Sequence, residues 1–221
     1  LTSWIGFFAA EIFLHILLDG LNNYGTGWFE PFSHFRISFQ MVFVADPFFS
    51  IWLGIGLLAL IICKTHQWRR RWAVVGLAFS SIYLMYCVWN KMHVERDVKM
   101  ALKQQEIPYK DFFTTPAPLN NWLWFVVAGN DSGYYISYRS VFDTKTDMEW
   151  KYFPRNKWML SGIEDRKDVK NLVRFSQGFY TVERWGNDTL VFNDLRFGQI
   201  AGWQDPGARF AFHYFLSHPD Q

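Results

Sequence analysis

An apolar run over Trp4–Leu18 ends in His15-Ile16-Leu17-Leu18-Asp19, and Glu11 precedes His15 by one helical turn. Four-residue spacing places the side chains of Glu11, His15 and Asp19 on one face of a helix. An ionisable side chain at membrane depth is costly, so this stripe must face water, its own members or a cation rather than lipid. The run therefore predicts a short membrane helix with one polar face.

Two interpretations of the His15/Asp19 pair are open at this point. Imidazole and carboxylate are both good ligands for zinc, manganese or iron, and a helix fixes their separation. Two ligands do not close a metal site, so further ligands must come from elsewhere. Alternatively, His15 hydrogen-bonds Asp19 and the polar stripe only packs helices together. The short His-x3-Asp pattern does not decide between them.

The residues after Asp19 supply a more specific order of motifs. They read Gly20-Leu21-Asn22-Asn23-Tyr24-Gly25-Thr26-Gly27, then Pro31-Phe32-Ser33, Arg36 and Asp46-Pro47. This order resembles the YdjM/YbcI-like family of membrane-bound metal-dependent hydrolases. That family carries His-Ile-Leu-Leu-Asp, a polar segment with Tyr-Gly, then Pro-Phe, an Arg and an apolar span that opens with Asp-Pro. The resemblance implies hydrolysis and a bound metal, with His15 and Asp19 as ligands.

The sequence also departs from the family pattern. An earlier His-Arg-Gly-x-Thr-His-Ser segment, with an acidic motif before it, has no counterpart here. Because the sequence begins at Leu1 without Met, we expect an N-terminal part that carries further ligands to be missing. Asp46 matches the family's Asp-Pro position, whereas the candidate role of Glu11 rests on helical spacing alone.

Two residues outside the first helix are further candidates for the site. Asn22–Gln40 is predicted to be a polar and aromatic loop beside Asp19, interrupted by glycine and proline. Arg36 in this loop either faces an anionic group near the metal or contacts a lipid headgroup or a carboxylate. Asp46 is a ligand, a partner that orients a ligand, or an N-cap after which Pro47 begins a helix.

Three apolar runs predict three membrane spans, over Trp4–Leu18, Met41–Cys63 and Trp72–Trp89. The basic segment Lys64–Arg71 between the last two predicts a cytoplasmic loop by the positive-inside rule. The loop after the first span and everything after Trp89 should then lie on the extracytoplasmic face. We therefore expect a multi-pass protein of the cell (inner) membrane.

The C-terminal half has the composition of a small antiparallel β domain. The fold class expected is an α+β membrane protein, with a transmembrane helical region over 1–106 and a β-rich extracytoplasmic domain over 107–221. One helix is expected at Asp168–Ser176, and Tyr109–Leu119 is expected to be a connector. Strands are predicted at Trp122–Ala128, Tyr134–Phe142, Phe179–Trp185, Thr189–Asn193 and Phe210–Leu216.

Turn signals and one polar segment add detail to this domain. Gly129-Asn130-Asp131 and Gly186-Asn187-Asp188 predict hairpins. Phe192–Gln199, followed by Trp203-Gln204-Asp205-Pro206, is dense in polar residues between aromatic ones. That stretch is either a turn with its polar groups satisfied or a substrate groove that includes Arg196.

Composition excludes several other classes. A net charge of +2 does not indicate nucleic-acid binding. Cys63 and Cys87 lie in or at the end of apolar runs, so we expect small buried side chains rather than a disulfide or a zinc-thiolate site. The sequence lacks P-loop, GxGxxG, GxSxG and HExxH motifs.

The first functional hypothesis is a membrane-embedded hydrolase that acts on a lipid or phosphoester at the extracytoplasmic face. Its divalent metal, zinc first with manganese or iron as alternatives, is expected at His15 and Asp19. Glu11 or Asp46 is the candidate base or a partner that orients a ligand, and Arg36 is the candidate stabiliser of an anionic oxygen. The alternative is a non-enzymatic membrane-anchored binding or assembly protein with a structural polar stripe. Transport ranks lowest, because the third span carries no charge.

Overall fold

The computed structural model of the chain describes residues 2–186 and 188–217. Helices occupy the first half and antiparallel strands the second, which confirms the α+β class. The chain divides into two compact units, Leu1–Glu95 with Thr115–Leu123 and Arg96–Thr114 with Trp124–Gln221. The assignment of 1–106 to the membrane and of 107–221 to a soluble domain stays a prediction.

The first three helices are α1 at Thr2–Asp19, α2 at Pro47–Ile62 and α3 at His66–Gln104. The first unit contains α1, α2 and most of α3, and the part of α3 from Arg96 onward belongs to the second unit. Large apolar side chains along α1, α2 and the first half of α3 are exposed, as expected of surfaces that face lipid. Among the described residues, α3 is the one helix long and apolar enough to cross a membrane, and α2 is a shorter apolar helix. Three spans therefore remain a prediction.

The ends of α2 and α3 differ from the sequence-based expectation. The predicted span from Met41 is helical only from Pro47, because Asp46 adopts an extended conformation and caps the helix there. The expected loop Lys64–Arg71 is also shorter, since α3 begins at His66. Most of the basic residues of that segment thus belong to the first turns of α3.

Two glycines let α2 and α3 approach closely. A Cβ atom added to Gly76 would lie 2.8 Å from the Trp52 carbonyl oxygen and 3.4 Å from the Cα of Gly56. One helical turn away, the rings of Trp52 and Phe79 stack with centroids 4.7 Å apart. Small residues at a helix contact favour tight packing in a bilayer, where water provides no driving force between helices.

Polar contacts continue this antiparallel helix pair towards the start of α2. The Ser80 hydroxyl donates to the Phe49 carbonyl oxygen at 2.8 Å. One turn further, the Tyr83 hydroxyl donates to Asp46 Oδ2 at 2.8 Å. Cys87 on the same helix is buried and Cys63 is half-buried, and both are free thiols.

The second unit contains two antiparallel sheets and a short helix. One sheet has the order β1-β2-β3-β4 and the other β5-β6-β7. Strands β1 and β4 were not predicted, and β1 lies where a connector was expected. The bounds are β1 Asp111–Pro116, β2 Leu123–Gly129, β3 Gly133–Ser140, β4 Lys151–Pro154, β5 Tyr180–Trp185, β6 Thr189–Gln199 and β7 Phe210–Ser217, with a 3-10 helix at Lys157–Leu160 and α4 at Lys167–Phe175.

Two hydrophobic clusters hold this unit together. The first joins β1, β2 and β3 to the ends of β6 and β7, through Phe113, Phe125, Val127, Tyr134, Ile136, Leu195 and Phe210. The second packs α4 and the 3-10 helix on the three-stranded sheet, through Leu160, Ile163, Val169, Tyr180, Val182, Phe192 and Leu216. The hairpin at Asn130 is confirmed, because its Oδ1 accepts from the backbone of Ser132 and Gly133. Asn187 of the other predicted hairpin lies outside the described residues.

Two buried arginines are paired within the second unit. Arg139 Nη2 donates to Asp97 Oδ2 at 2.8 Å, and both side chains are nearly inaccessible. Arg196 Nη2 donates to Asp194 Oδ2 at 2.7 Å, and its guanidinium lies 4.6 Å from the ring centroid of Phe175. Arg196 lies in β6, so the expectation of a turn over Phe192–Gln199 was wrong and the strand continues to Gln199.

The α2–α3 contact predicts that alanine is destabilising at Gly76 but not at Gly54. Gly76→Ala should lower the free energy of unfolding by about 1–3 kcal/mol, because its Cβ meets the backbone of α2. Gly54→Ala is the matched control, since an added Cβ there has no neighbour within 4 Å. Thermal unfolding of each purified variant in detergent measures the difference. Equal stability of the two variants would contradict the packing described.

Removal of the carboxylate from the buried Arg139–Asp97 pair should destabilise the second unit. Asp97→Ala leaves a buried guanidinium without its carboxylate, which costs about 3–5 kcal/mol in proteins. The control is Asp131→Ala, because the Asp131–Lys110 pair is exposed and exposed pairs contribute little. Denaturant unfolding followed by tryptophan fluorescence should show a large loss only for Asp97→Ala. A similar loss of unfolding free energy in both variants would show that the buried pair stabilises the unit no more than the exposed pair does.

Candidate metal site at the end of the first helix

His15 and Asp19 lie together near the C-terminal end of α1. His15 Nε2 is 3.4 Å from Asp19 Oδ2, because residues four apart occupy neighbouring turns of one helix face. The side chains are 77% and 47% exposed. The pair is therefore accessible to an ion or a ligand, and it does not diverge into separate apolar packing.

The two donor atoms fit a shared divalent cation. Bonds of about 2.0–2.1 Å at tetrahedral angles place neighbouring ligand atoms about 3.4 Å apart, which is the observed separation. This separation is also longer than a good hydrogen bond, so the two atoms do not saturate each other. The geometry satisfies two positions of a metal site and leaves the others to further donors.

Glu11 extends the polar face by one turn but does not complete the site. It lies on α1, four residues before His15, and is exposed. Within residues 2–186 and 188–217, no three His, Cys, Asp or Glu side chains form a group that could hold a metal ion. The described residues therefore offer at most the two candidate ligands His15 and Asp19 at this position.

The loop after Asp19 folds back on the end of α1. Asn22 Oδ1 accepts from the backbone nitrogens of Tyr24 and Gly25 at 2.8 and 3.2 Å. Gly25 has a φ of +65°, and an added Cβ would lie 2.6 Å from the Ile37 carbonyl oxygen, so this turn requires glycine. The Phe39 nitrogen then donates to the Gly20 carbonyl oxygen at 2.8 Å. These contacts hold the loop at the Asp19 end of α1.

Arg36 ties this loop to itself. Its Nε donates to the Tyr24 carbonyl oxygen at 3.1 Å, and its Nη2 donates to the Gly25 carbonyl oxygen at 2.7 Å. These partners are neutral backbone groups rather than the anion, headgroup or carboxylate considered from the sequence. Neither of these hydrogen bonds connects Arg36 with His15 or Asp19.

Asp46 is the N-cap of α2, as one of its three interpretations predicted. Its Oδ1 accepts from the backbone nitrogens of Phe48 and Phe49 at 2.8 and 3.3 Å. Its Oδ2 accepts from Tyr83, and the residue is only 2% exposed. Both oxygens are therefore engaged within the α2–α3 pair, and neither hydrogen bond leads to His15 or Asp19.

The loop after Asp19 carries exposed aromatic side chains. Phe29, Phe32 and Phe35 are exposed, and Phe32 is 95% accessible. Between them, His34 Nδ1 lies 2.9 Å from the carboxylate of Glu30, an exposed pair four residues apart like His15 and Asp19. Aromatic side chains in such positions are typical of the membrane–water interface.

A second concave site lies in the β-rich unit, and the sequence indicated only one of its walls. It is a cavity of about 660 Å³, with walls formed by β3, the loop 141–150 and the loop after β6. The only sequence signal was the polar and aromatic stretch near Trp203. Gln199, Trp203 and Pro206 line the cavity, whereas the expected Arg196 does not.

Comparison with known proteins agrees with the sequence resemblance. No curated protein and no solved structure matches the chain. A family model described as YdjM inner membrane protein matches residues 1–94, the part that carries α1, the loop, α2 and most of α3. The resemblance found from the His-Ile-Leu-Leu-Asp and Asp-Pro motifs is thereby confirmed: residues 1–94 are similar to the YdjM inner membrane protein family.

Proposed function

We propose that the protein is a membrane-embedded metal-dependent hydrolase whose divalent ion is held by His15 and Asp19. The observation that carries the proposal is the 3.4 Å separation of His15 Nε2 and Asp19 Oδ2 on an accessible helix face. Zinc is the first choice, because it accepts a mixed nitrogen and oxygen ligand set, with manganese or iron as alternatives. The remaining positions are filled by donors outside this pair.

The proposed chemistry divides between the ion and the side chains of α1. A bound divalent ion supplies Lewis acidity, which lowers the pKa of water and polarises the bond to be cleaved. His15 and Asp19 hold and orient it from one rigid helix face. Glu11, one turn away and exposed, is the candidate base that accepts a proton.

Arg36 and Asp46 are proposed to position the site. Arg36 holds the carbonyl groups of Tyr24 and Gly25, and so fixes the loop that follows Asp19. Its positive charge remains available to attract an anionic substrate oxygen to this end of α1. Asp46 fixes the start of α2 through its cap and its bond to Tyr83. A direct catalytic role for Asp46 is weaker than a positioning role, because both its oxygens already accept hydrogen bonds.

A lipid or phosphoester substrate at the membrane surface fits the surroundings of the pair. The loop that folds back on α1 exposes Phe29, Phe32 and Phe35, which favour the boundary between headgroups and acyl chains. The positive-inside argument places this loop on the extracytoplasmic face. The substrate would then approach the ion from the headgroup layer of that leaflet.

The alternative is a non-enzymatic membrane-anchored binding or assembly protein. It is favoured by the lack of a third metal-ligating side chain near the pair within the described residues. In that case His15 and Asp19 form an exposed pair on one helix, which contributes little to stability. Metal binding and hydrolysis distinguish the two functions.

The proposal predicts a metal ion that depends on His15. Protein purified in detergent with added zinc, then freed of excess metal, should retain about one zinc per chain by elemental analysis. His15→Ala should lose at least about tenfold in zinc affinity, because one of the two donors is removed. His34→Ala is the matched control, since His34 also pairs with an acidic residue four positions away. Zinc that is absent, or unchanged in His15→Ala, would favour the non-enzymatic alternative.

The second prediction concerns activity on lipid. Protein in vesicles of phosphatidylethanolamine and phosphatidylglycerol, supplied with zinc, should release headgroup or fatty acid detectable by mass spectrometry. Asp19→Ala should abolish the release, whereas Asp46→Ala should retain much of it and mainly lower the free energy of unfolding, by about 1 kcal/mol, because the N-cap of α2 is lost. Metal bound without any released product would refute hydrolysis of these lipids while leaving the metal site in place.

A further inference from the structure

The cavity in the β-rich unit has walls from two separated loops and one strand. The loop 141–150 follows β3, and the loop 200–209 follows β6. Trp150 Nε1 donates to Gln105 Oε1 at 2.8 Å, and Gln105 Nε2 donates to the Met148 carbonyl oxygen at 2.9 Å. Gln199 Nε2 donates to the Ala208 carbonyl oxygen at 2.8 Å and fixes the second loop. Both walls are therefore anchored and the cavity is preformed.

Two polar side chains of the cavity lining have atoms that could form further hydrogen bonds with a ligand. The Ser137 side chain is 3% exposed, and its Oγ has no hydrogen-bond partner within the part of the chain that the structure describes. Arg139 Nε is likewise buried without a partner there. Buried polar atoms usually find a partner, so each such exception in a cavity wall indicates a group that completes it.

Tyr138 and Gln199 add a donor and an acceptor. The Tyr138 hydroxyl lies 3.5 Å from Gln199 Oε1, at the limit of a hydrogen bond. Burial raises the pKa of Tyr138 to about 12, so its hydroxyl stays protonated and can donate at physiological pH. Gly202 lies beside both groups, where an added Cβ would be 2.6 Å from Gln199 Oε1. Glycine thus keeps this part of the cavity open.

The charges around the cavity balance. Three cationic side chains line it together with three carboxylates, namely Arg139, Lys145 and Lys151 with Asp143, Asp147 and Glu149. Arg139 also pairs with Asp97 outside the lining, so the net charge around the cavity is at most one negative charge. A ligand of high net charge gains little from such a balanced lining, and a purely apolar ligand would leave the polar groups unsatisfied.

Aromatic rings complete the lining. Phe142 and Trp203 are 73% and 49% exposed, and Trp150 lines the cavity with them. A sugar ring presents hydroxyl groups at its edge and C–H groups on its faces. It can therefore hydrogen-bond to carboxylates and amides while its faces pack on aromatic rings. A neutral, polyhydroxylated ligand therefore matches the polar groups, the near-balanced charge and the aromatic rings of the lining.

We propose that this cavity is a binding site for an uncharged saccharide. The sugar faces pack on Trp203 and Phe142, and its hydroxyl groups bond to Ser137, Tyr138 and the carboxylates at the rim. The site is separate from His15 and Asp19 and does not depend on the proposed hydrolysis. It gives the β-rich unit a recognition role of its own.

The test is titration calorimetry of the full chain in lauryldimethylamine oxide, a detergent that carries no sugar to compete. Maltotriose and chitotriose are the saccharide probes, and inorganic phosphate and putrescine are the charged controls. At least one trisaccharide should bind, whereas phosphate and putrescine should not. Failure of both trisaccharides up to about 10 mM, or binding of a charged control instead, overturns the proposal.

Three variants locate the binding. Trp203→Ala should weaken binding of the trisaccharide by about tenfold or more, because an aromatic face is removed. Trp158→Ala is the matched control, since Trp158 is exposed and lies outside the lining. Ser137→Ala should weaken binding without lowering thermal stability, because its hydroxyl has no partner to lose in the free protein. Equal affinity of Trp203→Ala and Trp158→Ala would place the saccharide elsewhere and overturn the assignment.

Discussion

The first unit depends on the close antiparallel contact of α2 and α3, which has a glycine crossing at one end and a buried carboxylate at the other. Gly56 and Gly76 bring the two backbones together, and Asp46 bonds both to the start of α2 and to Tyr83 of α3. In a bilayer, a polar group without a partner is expensive. The bond between Asp46 and Tyr83 therefore fixes where the helix pair ends and where the polar loop before α2 begins.

The C-terminal end of α1 carries the exposed polar pair His15 and Asp19 and is followed by a folded loop. Its loop returns through backbone bonds to Gly20 and Leu21, and Arg36 closes the loop on its own carbonyl groups. His15 and Asp19 remain accessible because they lie on the helix face that these contacts leave open. A fixed loop and an exposed donor pair support the metal site that we propose.

Local sequence patterns predicted the helices and most of the strands. Contacts between residues far apart in the sequence were not predicted. The four-residue spacing of His15 and Asp19 and the Asp46-Pro47 cap are determined within one or two turns. The sequence alone therefore predicted the pair and included the cap among three alternatives for Asp46. Strand β1 was missed because Pro108, Pro116 and Pro118 indicated a connector, although the pairing of the sheet tolerates proline at a strand end. Only the wall of the cavity near Trp203 was anticipated, because the walls come from loops about sixty residues apart that only the sheets bring together.

The central claim is that His15 and Asp19 bind one ion together. The most direct measurement is zinc K-edge X-ray absorption of the purified, zinc-loaded protein. The account predicts nitrogen and oxygen neighbours at about 2.0–2.1 Å with imidazole scattering, and loss of that scattering in His15→Ala. A spectrum dominated by sulfur neighbours, or imidazole scattering that persists unchanged in His15→Ala, would contradict it.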